Sequence, residues 1–107
     1  DITKVLSEAD INVSRLFLDQ SSVETNIFPL MDIGTLQQIN NGGVAVNVWD
    51  RQTHTQHQLI FENAPSNGYY LRGNWTADFV HRRGLKKGDE IELQWDFNRA
   101  RFNFRVV

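Results

Sequence analysis

The amino-acid sequence predicts a mainly-β fold, in which about seven short strands form a closed or nearly closed barrel with two short helices at its ends. Three observations support this prediction. Apolar and polar residues alternate along several short runs, as in half-buried strands. Glycine, asparagine, proline and serine separate these runs at short intervals. Helical spacing is confined to short segments. A barrel is favoured because closing a sheet hides the strand edges that would otherwise be exposed.

The first third of the chain combines two short strands with short helical segments. Ser21 or Ser22 can cap a brief helix, and Pro29 ends it because proline disfavours helical backbone in the residue before it. The predicted elements are a strand over Thr3–Leu6, a helical turn over Ser7–Asp10, a strand over Arg15–Leu18 and a helix that includes Val23, Ile27 and Phe28.

The middle of the chain is interpreted as strands joined by turns. The weak apolar pattern from Leu30 to Ile39 favours two short strands around Gly34. The segment Asn40–Gly43 then predicts a hairpin, because asparagine and glycine tolerate positive φ. The elements expected after it are strands over Val44–Trp49 and Gln58–Glu62, a turn over Asp50–Thr55 and a loop over Asn63–Gly68.

A short helix with clear end signals is predicted in the second half of the chain. Asn74 can act as its N-cap, and Gly84 can adopt the left-handed conformation that ends it. Its apolar face consists of Trp75, Phe79 and Val80. Because a helix this short is stable only when it packs on other elements, we expect Trp75 to lie in the core.

The last two predicted strands carry opposite charges on their outer faces. Ile91, Leu93 and Trp95 alternate with acidic and amide residues, and a turn at Asn98 and Arg99 follows. The final strand alternates Phe102, Phe104 and Val106 with Arg101, Asn103 and Arg105. An acidic face opposite a basic one favours cross-strand ion pairs.

Length and composition predict a single domain over residues 1–107. The chain has no cysteine, which excludes disulfides, thiolate metal ligands and a thiol nucleophile and fits an intracellular location. No run approaches the roughly 20 apolar residues that cross a bilayer, so we expect no membrane partner. The sequence starts at Asp1 without a leader pattern, and we expect targeting signals to lie outside these residues.

The formal net charge of −2 gives no overall attraction to polyanions, so any nucleic-acid site must be local. Basic residues concentrate in one part of the sequence, at Arg72, Arg82, Arg83, Lys86 and Lys87. Two interpretations stay open for them: a surface that contacts phosphates, or solvated side chains that only aid solubility.

The sequence predicts no catalytic or metal site. His54 and His57 lie at a spacing that points to opposite faces of a strand, and no third ligand is near them in sequence. No nucleophile elbow, phosphate-binding glycine motif or zinc-ligand pattern occurs. We therefore expect no enzymatic activity, no cofactor, no metal and no small-molecule substrate.

Several motifs in a fixed order carry a family resemblance. They are Lys4–Ile11, Arg15–Leu18, Phe28–Pro29, Trp49–Asp50, Tyr69–Leu71, Trp75, Phe79–Val80, Leu85–Ile91, Trp95–Asp96 and Arg101–Phe104. Together they resemble the plant B3 DNA-binding domain, a module of plant transcription factors. The resemblance covers nearly the whole chain and is strongest toward small plant proteins that carry little besides this domain.

The resemblance implies a seven-stranded open pseudobarrel that holds the major groove of double-stranded DNA between two arms, in a transcriptional regulator of the nucleus. The first arm corresponds to Asn12–Arg15 with Asp19 and Gln20, and the second arm to Ala64–Gly68. The residues expected to bind DNA are Lys4, Asn12, Ser14, Arg15, Gln20, Ser66, Asn67 and Arg72. Within this set, Arg15, Gln20, Ser66 and Asn67 are expected at base edges, with Lys4 and Arg72 at flanking phosphates.

The sequence departs from the B3 pattern at three places. Asp19 and Gln20 stand where the family often has Pro-Lys, Glu62 and Asn63 stand where it tends to have aromatic or basic residues, and Gly73 occupies a position that is frequently lysine. Both arms therefore have little positive charge, which favours a second hypothesis: a protein-interaction module on the same barrel with weakened or lost DNA binding. A third hypothesis is the recognition domain of a nuclease, which requires a catalytic domain elsewhere in a longer chain.

Overall fold

The computed structural model describes all of residues 1–107 and contains seven strands and several short helical segments. The strands are β1 (Ile2–Val5), β2 (Arg15–Asp19), β3 (Val44–Asp50), β4 (Thr55–Ala64), β5 (Gly68–Gly73), β6 (Glu90–Asp96) and β7 (Arg101–Val106). The helices are α1 (Glu8–Asn12), α2 (Gln20–Asn26) and α3 (Ile33–Asn40), with a 3-10 turn at Phe28–Leu30 and a π-helix at Thr76–His81.

The seven strands form one mixed sheet in the order β1-β6-β7-β3-β4-β5-β2. The β3–β7 pair is parallel and all other pairs are antiparallel. The sheet curls into a nearly closed barrel whose two edge strands, β1 and β2, flank the opening. The prediction of a mainly-β, seven-stranded open barrel is confirmed.

Large aromatic side chains lie in the interior of the barrel, at inward positions that the alternating pattern predicted. Phe61 on β4 and Phe102 and Phe104 on β7 point inward and are fully buried. Phe79 packs its ring against Phe104 at a centroid distance of 4.8 Å, which fixes the π-helix to the sheet. Trp75 is 1% exposed, and its indole N–H donates to the backbone oxygen of Asp10 at 2.8 Å. The core position predicted for Trp75 is confirmed.

The opposite charges of the last two strands form one cross-strand ion pair, as predicted. Arg105 on β7 lies opposite Glu92 on β6, and its Nε donates to the Glu92 carboxylate at 2.8 Å.

The segment predicted as two short strands around Gly34 is the helix α3, so that prediction is wrong. Asp32 caps this helix by accepting the backbone N–H of Thr35 at 3.1 Å. Gly42 and Gly43 adopt positive φ as expected, but they link α3 to β3 and do not form a hairpin.

The caps of two other helices also differ from the prediction. Asp19, and neither Ser21 nor Ser22, caps α2 by accepting the backbone N–H of Ser22 at 3.0 Å. Asn74 makes no side-chain cap, although its backbone oxygen accepts the N–H of Asp78 at 2.8 Å. Gly84 has φ 63° and ends the helical segment in the left-handed conformation, as predicted.

A buried ion cluster fastens the π-helix to the turn between β3 and β4. Asp50 is fully buried, and one of its carboxylate oxygens accepts hydrogen bonds from Arg82 at 2.7 Å and Arg83 at 2.6 Å. The other oxygen accepts the backbone N–H groups of Gln52 and Thr53 at 3.0 and 3.3 Å. Burial alone would raise the pKa of Asp50, but these four donors together hold that pKa far below its usual range.

None of the helices has the length and apolar character needed to cross a membrane.

Candidate nucleic-acid interface

The outer surface of β2, β5 and β4 brings several of the predicted DNA-binding residues together. The strand register places Arg15 opposite Arg72, and Phe17 opposite Tyr70. On the other side of β5, Tyr70 lies opposite Glu62. These five side chains alternate with buried ones and therefore point outward. We call them the β2–β5 face.

The two arms lie at opposite ends of this face. Asn12–Arg15 adjoin the end that carries Arg72, because Ser14 Oγ donates to the backbone oxygen of Gly73 at 2.9 Å. The second arm adjoins the other end, where Asp19 is opposite Gly68. The five residues of β2 separate the ends by about 13 Å.

The structure divides the residues assigned to the first arm between these two ends. Gln20 donates its backbone N–H to the backbone oxygen of Asn67 at 3.2 Å, so Asp19 and Gln20 lie beside the second arm. Gln20, Ser66 and Asn67 thus form one exposed polar group. Asn12, Ser14 and Arg15 form another at the opposite end, and all three are exposed.

The aromatic ring of Tyr70 orients Arg15 above the β2–β5 face. Its guanidinium carbon lies 4.3 Å from the ring centre of Tyr70, which is a cation–π contact. Arg15 forms no ion pair within the chain. Stacking therefore orients this cation while its hydrogen-bond donors stay available to a ligand.

Close packing fixes the second arm against β2. Asn67 has φ 57°, a left-handed conformation that asparagine tolerates better than most residues. A Cβ on Gly68 would lie 2.4 Å from the ring of Phe17 and 2.6 Å from the backbone oxygen of Leu18. Only glycine lets the arm leave the sheet at this point.

Acidic side chains reduce the positive charge of the face. Arg72 Nε donates to the carboxylate of Glu62 at 2.7 Å in an exposed ion pair, a kind of contact that contributes little stability. Hydrogen bonds from the hydroxyl and backbone N–H of Ser22 lower the pKa of Asp19, so Asp19 is ionised at neutral pH. Arg15 is thus the one arginine of this face without an acidic partner.

Lys4 lies in the opening of the barrel and is used inside the protein. Its Nζ donates to the backbone oxygen of Phe17 and pairs with the carboxylate of Asp10 at 3.0 Å. Asp10 in turn accepts the backbone N–H of Phe17 at 3.2 Å. Asp10 and Lys4 together bind both backbone groups of Phe17 on the edge of β2 that β1 does not pair. The Lys4 ammonium also lies 5.3 Å from the centre of the Phe17 ring, at the margin of the β2–β5 face.

The basic residues that lie close together in the sequence do not form one continuous surface in the structure. Arg72 lies on β5, whereas Arg82 and Arg83 bind the buried Asp50 near the far end of β3.

The role of Tyr70 as a platform for Arg15 was missed by sequence reasoning. The alternation with buried Leu71 could have placed Tyr70 outward, but only the pairing of β2 with β5 brings it to Arg15.

Comparisons with known proteins agree with this architecture. A family profile described as "B3 domain-containing protein At5g26805, C-terminal domain" matches residues 1–107. Two Arabidopsis thaliana relatives, the B3 domain-containing proteins At1g78640 and At4g02870, are 37% and 42% identical over 99% of this chain. The chain spans only 22% and 34% of their respective lengths.

A solved structure, the Arabidopsis FUS3–DNA complex, matches the fold with a TM-score of 0.71 and 20% identity. The match covers 98% of this chain and 93% of that one. At 20% identity, this similarity shows a shared fold and nothing more. Because the family profile extends over every residue described here, the chain belongs to the B3 domain family.

Proposed function

We propose that residues 1–107 act as a single, non-enzymatic domain that binds the major groove of double-stranded DNA, as part of a transcriptional regulator in the plant nucleus. The observation that carries this proposal is the pair of exposed polar groups at the two ends of the β2–β5 face. Their separation of about 13 Å along β2 is similar to the width of the major groove, about 12 Å. The FUS3–DNA complex, which shares the fold, adds support.

At one end of the face, Arg15 contacts a guanine edge, with Asn12 and Ser14 at neighbouring bases or phosphates. Arginine can donate two hydrogen bonds to guanine, and its stacking on Tyr70 reduces the entropy that binding costs. Arg72 reaches a flanking phosphate by exchanging Glu62 for the phosphate oxygens. Lys4 acts at the margin of the face, where its contacts with Asp10 and Phe17 hold β2 in place.

At the other end, Gln20, Ser66 and Asn67 approach base edges. Glutamine and asparagine can bind adenine with two hydrogen bonds, and serine can bind bases or phosphates. The second arm is already held by Gly68 and by the hydrogen bond from Gln20 to Asn67, so it needs little reordering on binding.

Selection of duplexes from a random pool, read at two salt concentrations, tests the proposal. We expect one sequence motif to be enriched, and we expect the logarithm of its affinity to fall linearly with that of salt, by about 0.9 for each phosphate neutralised. Salt-sensitive binding without an enriched motif indicates that the domain reads the DNA backbone. No binding at low salt contradicts the proposal.

A second candidate function is a protein-interaction module with weakened or lost DNA binding. The ionised Asp19 and the pairing of Glu62 with Arg72 favour it, because both place carboxylates where phosphates would approach. This alternative predicts that Arg15→Ala leaves partner binding unchanged. The random-pool selection separates the two functions, since only a DNA-binding domain retains duplexes.

A further inference from the structure

A cleft opens beside Asn12–Arg15, between α1 and the β2–β5 face. Its volume is about 400 Å³. Its apolar wall consists of Ala9, Val13, Phe17 and Tyr70, and its polar wall consists of Lys4, Ser7, Asp10 and Arg15. The cleft therefore places an apolar surface directly beside the cation that we expect to contact guanine.

Val13 is an exposed apolar residue in a loop held by hydrogen bonds. Its side chain is 44% exposed, although burying a valine would normally stabilise a protein. Its backbone N–H donates to the oxygen of Ala9 at 2.9 Å, and its own oxygen accepts the N–H of Arg15 at 2.5 Å. With Ser14 bound to Gly73, the loop holds Val13 at the mouth of the cleft.

The chemistry of the major groove offers one apolar group that fits this arrangement. Base edges there present hydrogen-bond donors and acceptors, and the exception is the C5 methyl group of thymine, which apolar side chains contact. Cytosine gains the same group when it is methylated at C5. A β-strand of another protein is a poorer occupant, because Asp10 and Lys4 already bind the free backbone groups of Phe17 at the edge of β2.

We propose that this cleft recognises the C5 methyl group of a pyrimidine, in thymine or 5-methylcytosine, close to the base pair contacted by Arg15. The proposal rests on the proposed DNA-binding function and adds a chemical requirement to it. Val13 and the Tyr70 ring bury the methyl group, while the Arg15 guanidinium binds the neighbouring guanine.

The test uses the duplex obtained from the random pool. Each thymine is replaced in turn by uracil, which removes only the methyl group, and each cytosine is replaced in turn by 5-methylcytosine. Affinities are measured for the wild type and for Val13→Ala. Val5→Ala is the matched control, because Val5 is 60% exposed on β1 and does not line the cleft.

For wild type and Val5→Ala, we expect removal of the methyl group from one thymine to weaken binding about three- to fivefold, or addition of a methyl group to one cytosine to strengthen it by a similar factor. Val13→Ala should remove this difference while it still binds DNA. Binding that changes less than twofold at every position, or changes equally in Val13→Ala, overturns the inference and leaves the proposed function intact. Binding without an enriched motif also overturns it. A complete lack of DNA binding contradicts the proposed function itself.

Discussion

Two pairs of arginines in this protein have opposite environments. Arg82 and Arg83 bind the fully buried carboxylate of Asp50, with side chains 27% and 16% exposed. Arg15 and Arg72 stand on the β2–β5 face, where Arg15 stacks on Tyr70 and Arg72 makes only an exposed ion pair. The difference teaches that basic residues in a sequence do not by themselves mark a nucleic-acid surface, because a buried acid can use them for folding.

The largest expected effect comes from removing the buried acid. Asp50→Ala leaves Arg82 and Arg83 without their partner and two backbone N–H groups without an acceptor. We expect the free energy of unfolding to fall by about 3–5 kcal/mol. Urea unfolding followed by circular dichroism measures it. Arg99→Ala, on the exposed hairpin between β6 and β7, is the control and should change stability far less. Equal effects of the two substitutions would contradict the structural role of the cluster.

The second prediction concerns Arg15 on the β2–β5 face, where we expect a change in DNA affinity and not in stability. Arg15→Ala should weaken DNA binding by about 1–3 kcal/mol, or about 5- to 150-fold, because a bidentate contact to guanine is lost. Its unfolding free energy should stay close to that of the wild type, since Arg15 is exposed. Fluorescence anisotropy with the selected duplex measures the affinity.

Arg83→Ala is the matched substitution in the buried cluster. It should lower stability and, at a temperature where the variant is folded, leave the affinity for DNA unchanged. Similar losses of affinity for Arg15→Ala and Arg83→Ala would break the distinction between the two pairs. Arg15→Lys sharpens it, because lysine keeps the charge but loses the planar bidentate geometry.

The strands were predictable from local sequence because alternation is a property of neighbouring residues. Val46 and Val48 on β3 and Leu93 and Trp95 on β6 point inward as that alternation requires. Helix α3 was not predictable in the same way, since Ile39 is its only buried residue and Ile33 is 72% exposed. The Asp32 and Thr35 pair that caps α3 was present in the sequence as a weaker signal.

The candidate site was only partly predictable. The resemblance to B3 domains supplied the positions of the arms, and the structure shows the groups around Arg15 and Asn67 at opposite ends of one face. The contact between Arg15 and Tyr70 and the bonds from Arg83 to Asp50 join residues far apart in sequence. Such contacts depend on strand register and helix packing, which local patterns do not determine.

The third prediction concerns the loss of folding stability at acidic pH. The hydrogen bonds that outweigh burial keep the pKa of Asp50 below that of an unfolded aspartate, about 3.9. The stabilisation is therefore complete above about pH 5 and is lost progressively as the pH falls through and below the unfolded pKa, because the unfolded state takes up the proton first. The loss approaches about 1.4 kcal/mol per pH unit.

Urea midpoints measured from pH 7 to pH 3 check this dependence. Asp50→Asn should be less stable at pH 7 and should lose less stability on acidification than the wild type. An identical decline in both proteins would assign the acid sensitivity to other carboxylates.

The smallest expected effect concerns Glu62, which pairs with Arg72. Glu62→Gln removes a carboxylate from the β2–β5 face and frees Arg72 for a phosphate. We expect affinity for DNA to rise about two- to fivefold and the salt dependence to steepen by up to about 0.9. Titrations of wild type and Glu62→Gln at several salt concentrations measure both quantities. Weaker binding by Glu62→Gln would indicate that Glu62 itself contacts a base.

The most direct test of the central claim is an NMR titration of the isotope-labelled protein with the selected duplex, followed through backbone amide shifts and arginine side-chain signals. We expect the largest changes in residues 12–20 and 64–73 and in the Arg15 side chain. Signals of residues 50–54 and the side chains of Arg82 and Arg83 should change little. The largest shifts at the Asp50 cluster, with the β2–β5 face unaffected, would contradict the account.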